Sequence, residues 1–531
     1  MVDTSMELPV KKPPKEVVEC PVPHAREQAL PPGHPPVPDA PPSSLQTPTG
    51  PHCIFFRQPE DKSELPEEDV TEVPKPNSTA ETIADVVQQS VPPDYLLVLA
   101  SRTSKLAVCQ AEHVQQMLEV RFGASSPAFA KDVPEDLQED IEEIHRRLNL
   151  LEGEGASLRP FAFPARTMQT AGDVNLRSPL YVIGGEGRAI WTKELEVALF
   201  AGGVDAIVHS LKDVPTTLPA NLELGAILER EDPRDALVVK SSLPYKSLDE
   251  MPPGSVIGTS SVRRVALLRR AFPHLIFSDV RGNIQTRLAK LDAEKGPYTA
   301  LVLAAAGLKR LDLAERITAY LTAPVMLHAV GQGSLGIEIR TPGKSPRDAR
   351  VKALIESIGD WRATWRCSAE RALLHRMEGG CSIPLGVASW FSDHHEIECL
   401  RNEPEATPSQ LVAEGLALSA PLDLGISKPP PEGRELTLRA MIVSLDGTRS
   451  CEYQETRLCK TLDDAVALGI QVADDLEHRQ SAKVILEEVE YHRRLAEKAD
   501  EEQRACNLAP AQEQDRRFLP RNDGQPKVWE V

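Results

Sequence analysis

Arginines, and one lysine–aspartate pair, are the residues of this chain best suited to chemistry. From Gly258 to Lys290 it reads GTSSVRRVALLRRAFPHLIFSDVRGNIQTRLAK. Arg263, Arg264, Arg269, Arg270, Arg281, Arg287 and Lys290 are opposed there only by Asp279, in a protein of formal net charge −19. A guanidinium presents a planar fork of donors that matches a carboxylate, so a small polycarboxylate is the natural ligand. Arg102 and Ser104 repeat the pattern in SRTSKLAVCQ, and Arg310 lies in AAGLKRLDL. Lys212 and Asp213 in HSLKDVP are either a surface ion pair or an acid/base beside a cation. Gln332 lies between Gly331 and Gly333. Cys381 follows two glycines in EGGCSIP; on composition alone a single cysteine is more often a small buried hydrophobe or an idle thiol.

A series of strand-to-helix turns must position these groups. Ser255 to Ile257 is a short apolar run, after which Ser260 or Ser261 caps a helix buried through Val262, Ala266, Leu267 and Leu268. A second strand, the Arg281-Gly282-Asn283 turn and a second helix follow. Unpaired N–H groups at a helix start, with arginines in and beyond the first turn, make an anion site. Parallel sheets bind ligands at the carboxyl ends of their strands, where these turns fall. That position favours an anion pocket for Arg263, Arg264, Arg281 and Arg287, and a solvated helix face for Arg269 and Arg270. Tyr95 to Ala100 is a strand leading into a helix capped by Ser104, with Ala107, Ala111, Val114 and Leu118 on one face. Thr192 to Phe200 reads as a helix, and Val204 to Val208 and Ala300 to Ala304 as strands. Pro324 to Arg340 returns as a strand-rich connector, which implies two α/β lobes joined by two crossings around a cleft. Further on come a helix from Asp360 to Met377 with Trp365, Ala369, Ala372 and Leu373 inward, and a strand from Leu385 to Trp390. A hairpin of Thr437 to Ser444 and Ser450 to Arg457 turns at Asp446-Gly447, and a helix runs from Leu462 to Leu476. Together they make a smaller α+β domain.

The 531 residues suffice for three or four domains. The acidic total and pI ≈ 5.3 argue against a general nucleic-acid binder. No apolar run approaches the ~18 residues of a membrane helix, and the first residues resemble neither a signal nor a transit peptide. The nine cysteines are scattered, without zinc or disulfide spacing, so a reducing cytoplasm is expected. Residues 1–93 hold twenty of the 46 prolines and read as a disordered extension. Residues 124–160 and 391–434 read as insertions, and 491–531 as a charged tail. Gly184, Gly185 and Gly187 form a flexible loop, but no Lys-Ser/Thr follows to make it a P-loop.

Taken together, SRTSKLAVCQ, WTKELEVAL, DAIVHSLKDVPT, GTSSVRR, VRGNIQTRL, AAAGLKRL, AVGQGSLGIEIR and ERALL followed by GGCSIPLG resemble the porphobilinogen deaminase (hydroxymethylbilane synthase) family. The likeness covers most of the chain between Asp94 and Val489. It implies two α/β lobes like those of periplasmic solute-binding proteins, formed by 94–229 with 330–347 and by 234–326, and an α+β domain at 352–490. It implies head-to-tail condensation of four porphobilinogen molecules, with release of ammonia and hydroxymethylbilane, on a dipyrromethane primer held by a thioether to Cys381. Arg102, Arg263, Arg264, Arg281, Arg287 and Arg310 match the family's carboxylate-binding arginines. Ser104, Lys212, Ser260, Ser261 and Gln332 match its supporting contacts, and Asp213 its catalytic carboxylate. A monomer is expected, with neither metal, nucleic acid nor membrane as partner. The family's loop GGKGLFTKELE is here GGEGRAIWTKELE, two residues longer. The competing reading is a two-lobed binding protein for small carboxylate anions, which needs neither Cys381 nor Asp213.

Overall fold

The computed structural model describes residues 95–126, 159–170, 191–343, 345–377, 383–392, 428–479 and 482–492, with a few isolated positions beyond them. The expected Pro-rich extension, most of both insertions, the Gly184–Gly187 loop and Cys381 lie outside the described residues.

The first lobe begins with β1 (Leu99–Arg102) and α1 (Lys105–Phe122). Ser104 caps α1, its Oγ accepting from the Ala107 N–H at 3.3 Å. Ala107, Ala111, Val114 and Leu118 face inward as the spacing predicts. The strand runs past Ala100 to Arg102 because parallel β2 (Ala165–Met168) pairs with it residue for residue. After α2 (Lys193–Phe200) come β3 (Ala206–Ser210), a single 3-10 turn at Leu211–Asp213, and β4 (Leu222–Ile227).

The chain then crosses to a second lobe: β5 (Asp235–Val239), β6 (Val256–Gly258), α3 (Val262–Ala271), β7 (Ile276–Ser278), α4 (Ile284–Asp292), β8 (Ala300–Ala304), α5 (Ala305–Lys309) and β9 (Ala319–Leu321). It returns as β10 (Leu335–Arg340). The sheet orders are β2-β1-β3-β10-β4 and β7-β6-β8-β5-β9. Each holds three parallel strands, then one antiparallel strand, then an outer strand antiparallel to that. In each sheet the reversed strand, β10 or β5, is the one that has just arrived from the other lobe. Two crossings therefore do more than tether the lobes, because each completes the sheet it enters.

The helix α6 (Pro346–Glu356) follows β10 and buries Val351, Leu354 and Ile355 against the first sheet's core. The first lobe accordingly extends past the expected boundary at 347, to about the Gly359–Asp360 turn. The third domain packs α7 (Trp361–Arg376) and α8 (Leu462–Glu477) on an antiparallel sheet of β11 (Leu385–Phe391), β12 (Arg434–Val443) and β13 (Ser450–Cys459). Trp365, Ala369 and Leu373 are buried there as expected, whereas Ala372 is only partly covered. Thr461 and Asp464 close a reciprocal capping box on α8.

The third domain is clamped to both crossings. Arg230, on the first, donates from Nη1 and Nη2 to the two oxygens of Glu370 on α7 at 2.6 and 3.0 Å. Glu370 also accepts from the Gly331 N–H of the second crossing at 2.9 Å and from Ser389 Oγ of β11 at 2.5 Å. The crossings touch so closely that a Cβ at Gly333, whose φ is +97°, would lie 2.1 Å from the Glu231 carbonyl oxygen. Arg269 and Arg270 correct the expectation of a solvated face. Arg269 Nη1 donates to the Leu445 carbonyl at 2.8 Å and Arg270 Nη2 to that of Pro324 at 2.9 Å, while the Gly447 turn lies against the backbone of both.

Removing one partner of a buried ion pair strands the other charge, so Glu370→Ala is expected to cost about 3–5 kcal/mol. The double variant Arg230→Met/Glu370→Leu, which leaves no charge behind, should be more stable than Glu370→Ala in denaturant unfolding. Equal midpoints for Glu370→Ala and the unaltered chain would deny the clamp any part in joining the domains.

Candidate active site

The parallel strands end where the sequence places its anion-binding groups. Arg102 closes β1, Lys212 and Asp213 form the turn after β3, and Ser260 to Arg264 lead from β6 into α3. Arg281 and Arg287 flank the start of α4, and Arg310 caps the end of α5. Ser261, not Ser260, is the cap of α3, accepting from the Arg264 N–H at 3.4 Å. Ser260 is buried and donates to the Val280 carbonyl at 2.6 Å, which binds the turns after β6 and β7 together. Its hydroxyl thus fixes the site's backbone.

Arg263 and Arg264 are both buried against Asp235, the first residue of β5. Arg263 Nη1 donates to Oδ2 at 2.7 Å, and Arg264 Nε and Nη2 donate to Oδ1 at 3.0 and 2.7 Å. These partners hold the Asp235 carboxyl well below the usual range even though burial pushes it up. Gln332 Nε2 donates to the same Oδ1 at 3.0 Å and to the Pro233 carbonyl at 2.7 Å, while its Oε1 accepts from Lys212 Nζ at 3.4 Å. Burial pulls the Lys212 ammonium down to about 8, against the favourable field of Asp213 beside it.

Arg287 has no such counterweight. Its Nε donates to the Gly282 carbonyl at 2.7 Å, and no carboxylate pairs with it among the described residues. Burial, and then the neighbouring Arg264, bring it down to about 10, with Arg281 adding to the repulsion and Asp279 and Asp213 opposing it. Arg281 lies 3.4 Å from Asp279. The Asp213 carboxylate receives no hydrogen bond among the described residues. The backbone just after it is held from the third domain, where Arg371 on α7 donates to the Val214 and Pro215 carbonyls at 3.0 and 2.6 Å.

Lys212, Asp213, Arg263, Arg264, Arg281, Arg287 and Gln332 therefore form one connected group. Arg102 instead lies over the Trp191 ring at 4.1 Å, and Ser104 acts as a helix cap. Arg310 donates to the Gly333 carbonyl at 2.6 Å and accepts at its own carbonyl from Cys109 Sγ at 3.1 Å, so it staples α1, α5 and the second crossing together. Asp235, Arg230 and Glu370 carry the site's framework and were not singled out from sequence. The available signal was an acid opening the apolar run DALVV directly after a crossing.

The profile described as "Porphobilinogen deaminase, dipyromethane cofactor binding domain" matches residues 97–347, and the family's C-terminal domain matches 364–410. The porphobilinogen deaminase of Yarrowia lipolytica is 43% identical over 334 residues, spanning 62% of this chain and 85% of its own. That of Saccharomyces cerevisiae is 37% identical over 402 residues, spanning 75% and 98%. The chain belongs to the porphobilinogen deaminase family. It is a transferase of tetrapyrrole synthesis, and a purely carrier role for the two lobes is not favoured. The relative from Synechococcus elongatus is 44% identical over 327 residues, 62% of this chain and 86% of its own. Among solved structures the methionine-binding protein MetQ is similar at 11% identity and TM-score 0.28, over 50% of this chain and 91% of that one. The periplasmic sulfonate-binding protein SsuA of Methylobacillus flagellatus is similar at 14% and 0.27, over 49% and 67%. No helix among the described residues is long and apolar enough to cross a membrane.

An unpaired, half-buried guanidinium raises affinity for an anion and lowers stability without one. Arg287→Gln should weaken calorimetric binding of a small dicarboxylate by roughly 10–100-fold, about 1.5–3 kcal/mol, and leave the melting temperature equal or higher. Unchanged affinity would remove Arg287 from the site.

Proposed function

We propose that the cluster built on Arg287 receives the acetate and propionate groups of porphobilinogen and of the chain grown from it, and that Asp213 is the carboxylate of the condensation. The observation carrying this reading is Arg287 itself, a guanidinium with no carboxylate partner among the described residues, set beside Arg264, Arg281 and Asp213. Lys212, Arg263, Arg264, Arg281 and Arg287, packed beside a carboxylate that receives no hydrogen bond among the described residues, suit a ligand that brings two negative charges per ring. The same arrangement suits a dipyrromethane group, itself a string of acidic pyrroles. Lys212, Arg263, Arg281 and Arg287 would hold its carboxylates, and Cys381 would anchor it through a thioether. When bound, that group supplies the free pyrrole carbon that acts as nucleophile.

The protein's own part is electrostatic. As porphobilinogen loses its aminomethyl nitrogen as ammonia, its pyrrole N–H gathers positive charge. The Asp213 carboxylate, free of competing donors among the described residues, stabilises that charge and accepts a proton when the new ring rearomatises. The Lys212 ammonium beside it binds an incoming carboxylate. Arg371, by fixing the backbone at Val214 and Pro215, keeps Asp213 aimed. The described cysteines Cys109, Cys367, Cys451 and Cys459 are free thiols, which agrees with work in the cytoplasm.

Two variants separate the roles. Asp213→Asn should keep the primer's added mass but lose roughly 10²–10⁴-fold in turnover, and near-normal turnover rejects it as the reacting carboxylate. Cys381→Ser should show only the bare chain mass in intact-protein spectrometry, and a primed Cys381→Ser protein would place the anchor on another residue.

A further inference from the structure

Asp235 is fully buried, accepts four side-chain hydrogen bonds, and has no part in the reaction as derived above. Its surroundings explain what it does. Three of its four donors come from the guanidiniums on α3, and the fourth is the Gln332 amide on the second crossing. The opposite end of that amide accepts from Lys212 on the first lobe. Gln332 also binds the Pro233 carbonyl of the first crossing, and Arg263 Nη1 the Leu327 carbonyl of the second at 2.5 Å. A single carboxylate thus stands between the arginines of one lobe and the lysine of the other, at the point where both crossings pass.

We propose that Asp235 is a positioning residue for the condensation: it aims Arg263 and Arg264 and, through Gln332, holds the Lys212 side chain beside Asp213 in its cationic, carboxylate-binding state. This rests on the reading that Lys212 and Asp213 face the acidic pyrroles. An ion pair that served only the fold would contribute stability and nothing else, and the electrostatics distinguish the two. The charged groups acting on Lys212 are Asp213 on its own turn, Arg264 and Arg263 on α3, and Asp235 on β5. The two arginines and burial work against the ammonium, while Asp213 and Asp235 favour it. With Asp235 neutralised, Lys212 faces two uncompensated guanidiniums and sheds its proton at lower pH.

The test compares full-length Asp235→Asn, Asp235→Glu and unaltered enzyme for porphobilinogen consumption from about pH 6.5 to about pH 9.5. Intact mass is measured first on each. The unaltered enzyme should lose kcat/KM on the alkaline side as Lys212 titrates near about 8. In Asp235→Asn that limb should move down by about half a pH unit or more, with roughly tenfold or greater loss of kcat/KM at the alkaline end. Asp235→Glu should return the limb toward its original place. A loss equal at every pH with the limb unmoved marks a role in the fold alone and overturns the proposal, as does near-unaltered kcat/KM. Should Asp235→Asn not fold, Gln332→Leu cuts the link to Lys212 while sparing both ion pairs. Its alkaline limb should also move down, and an unmoved limb overturns the proposal. The mass reports on the Cys381 anchor and the pH limb on Asp235, so failure of one is not mistaken for failure of the other.

Discussion

Like charges drawn together out of water repel, and much of this fold serves to hold Lys212, Arg264, Arg281 and Arg287 side by side despite that. The repulsion is visible in the depressed proton affinity of Lys212 and Arg287, both driven first by burial and then by cationic neighbours in the case of Arg287. A buried acid, Asp235, offsets part of it by compensating Arg263 and Arg264 where the lobes meet. What remains uncompensated is concentrated on Arg287, and a site left short of negative charge is a site that binds anions. The chain's overall charge of −19 has no bearing on this, because the field within a cleft is set by the groups within a few ångströms.

The geometry that permits such crowding is rigid at its base. The cations follow the carboxyl ends of parallel strands; β3 and β6 are paired on both sides within their sheets, and β7, which leads to Arg281 and Arg287, is held by β6. Caps at Ser104, Ser261 and Asn283 fix where the helices begin and so where the first-turn side chains point. Ser260 ties adjacent turns to one another. Entropy that flexible side chains would lose on binding is therefore already lost in the fold, and the ligand meets an arrangement close to the one it needs.

Local features of this design were legible in the sequence and non-local ones were not. The Gly-Thr-Ser-Ser turn and the apolar spacing after it are written within a dozen residues, and strand, cap and helix appear as read. The hairpin at Asp446-Gly447 is equally local. Asp235 was missed because its partners lie far off in sequence: Arg263, Arg264 and Gln332 reach it only once β5 has been inserted into the second sheet. Arg269 and Arg270 were misjudged for the same reason, since the turn that covers them arrives from the third domain. The helix Pro346–Glu356 shifted a boundary because its apolar face says that it packs, not against what. Arg102, Ser104 and Arg310 match the family motifs, and their contacts with a ring, a helix start and the second crossing could not be read from those motifs.

The joint also sets what the enzyme can do while four rings are added. Glu370 holds Arg230 of one crossing and the Gly331 N–H of the other, so a rotation of one lobe against its neighbour must either carry the third domain along or break a buried ion pair. Breaking it costs several kcal/mol, whereas small rotations about the crossings that preserve it cost far less. Arg371 adds the second half of the constraint, since it ties α7 to the backbone immediately after Asp213. Any movement that makes room for a longer product therefore moves the third domain together with the turn that carries Asp213. Length can then be accommodated by displacing the arginines of the second lobe relative to that turn.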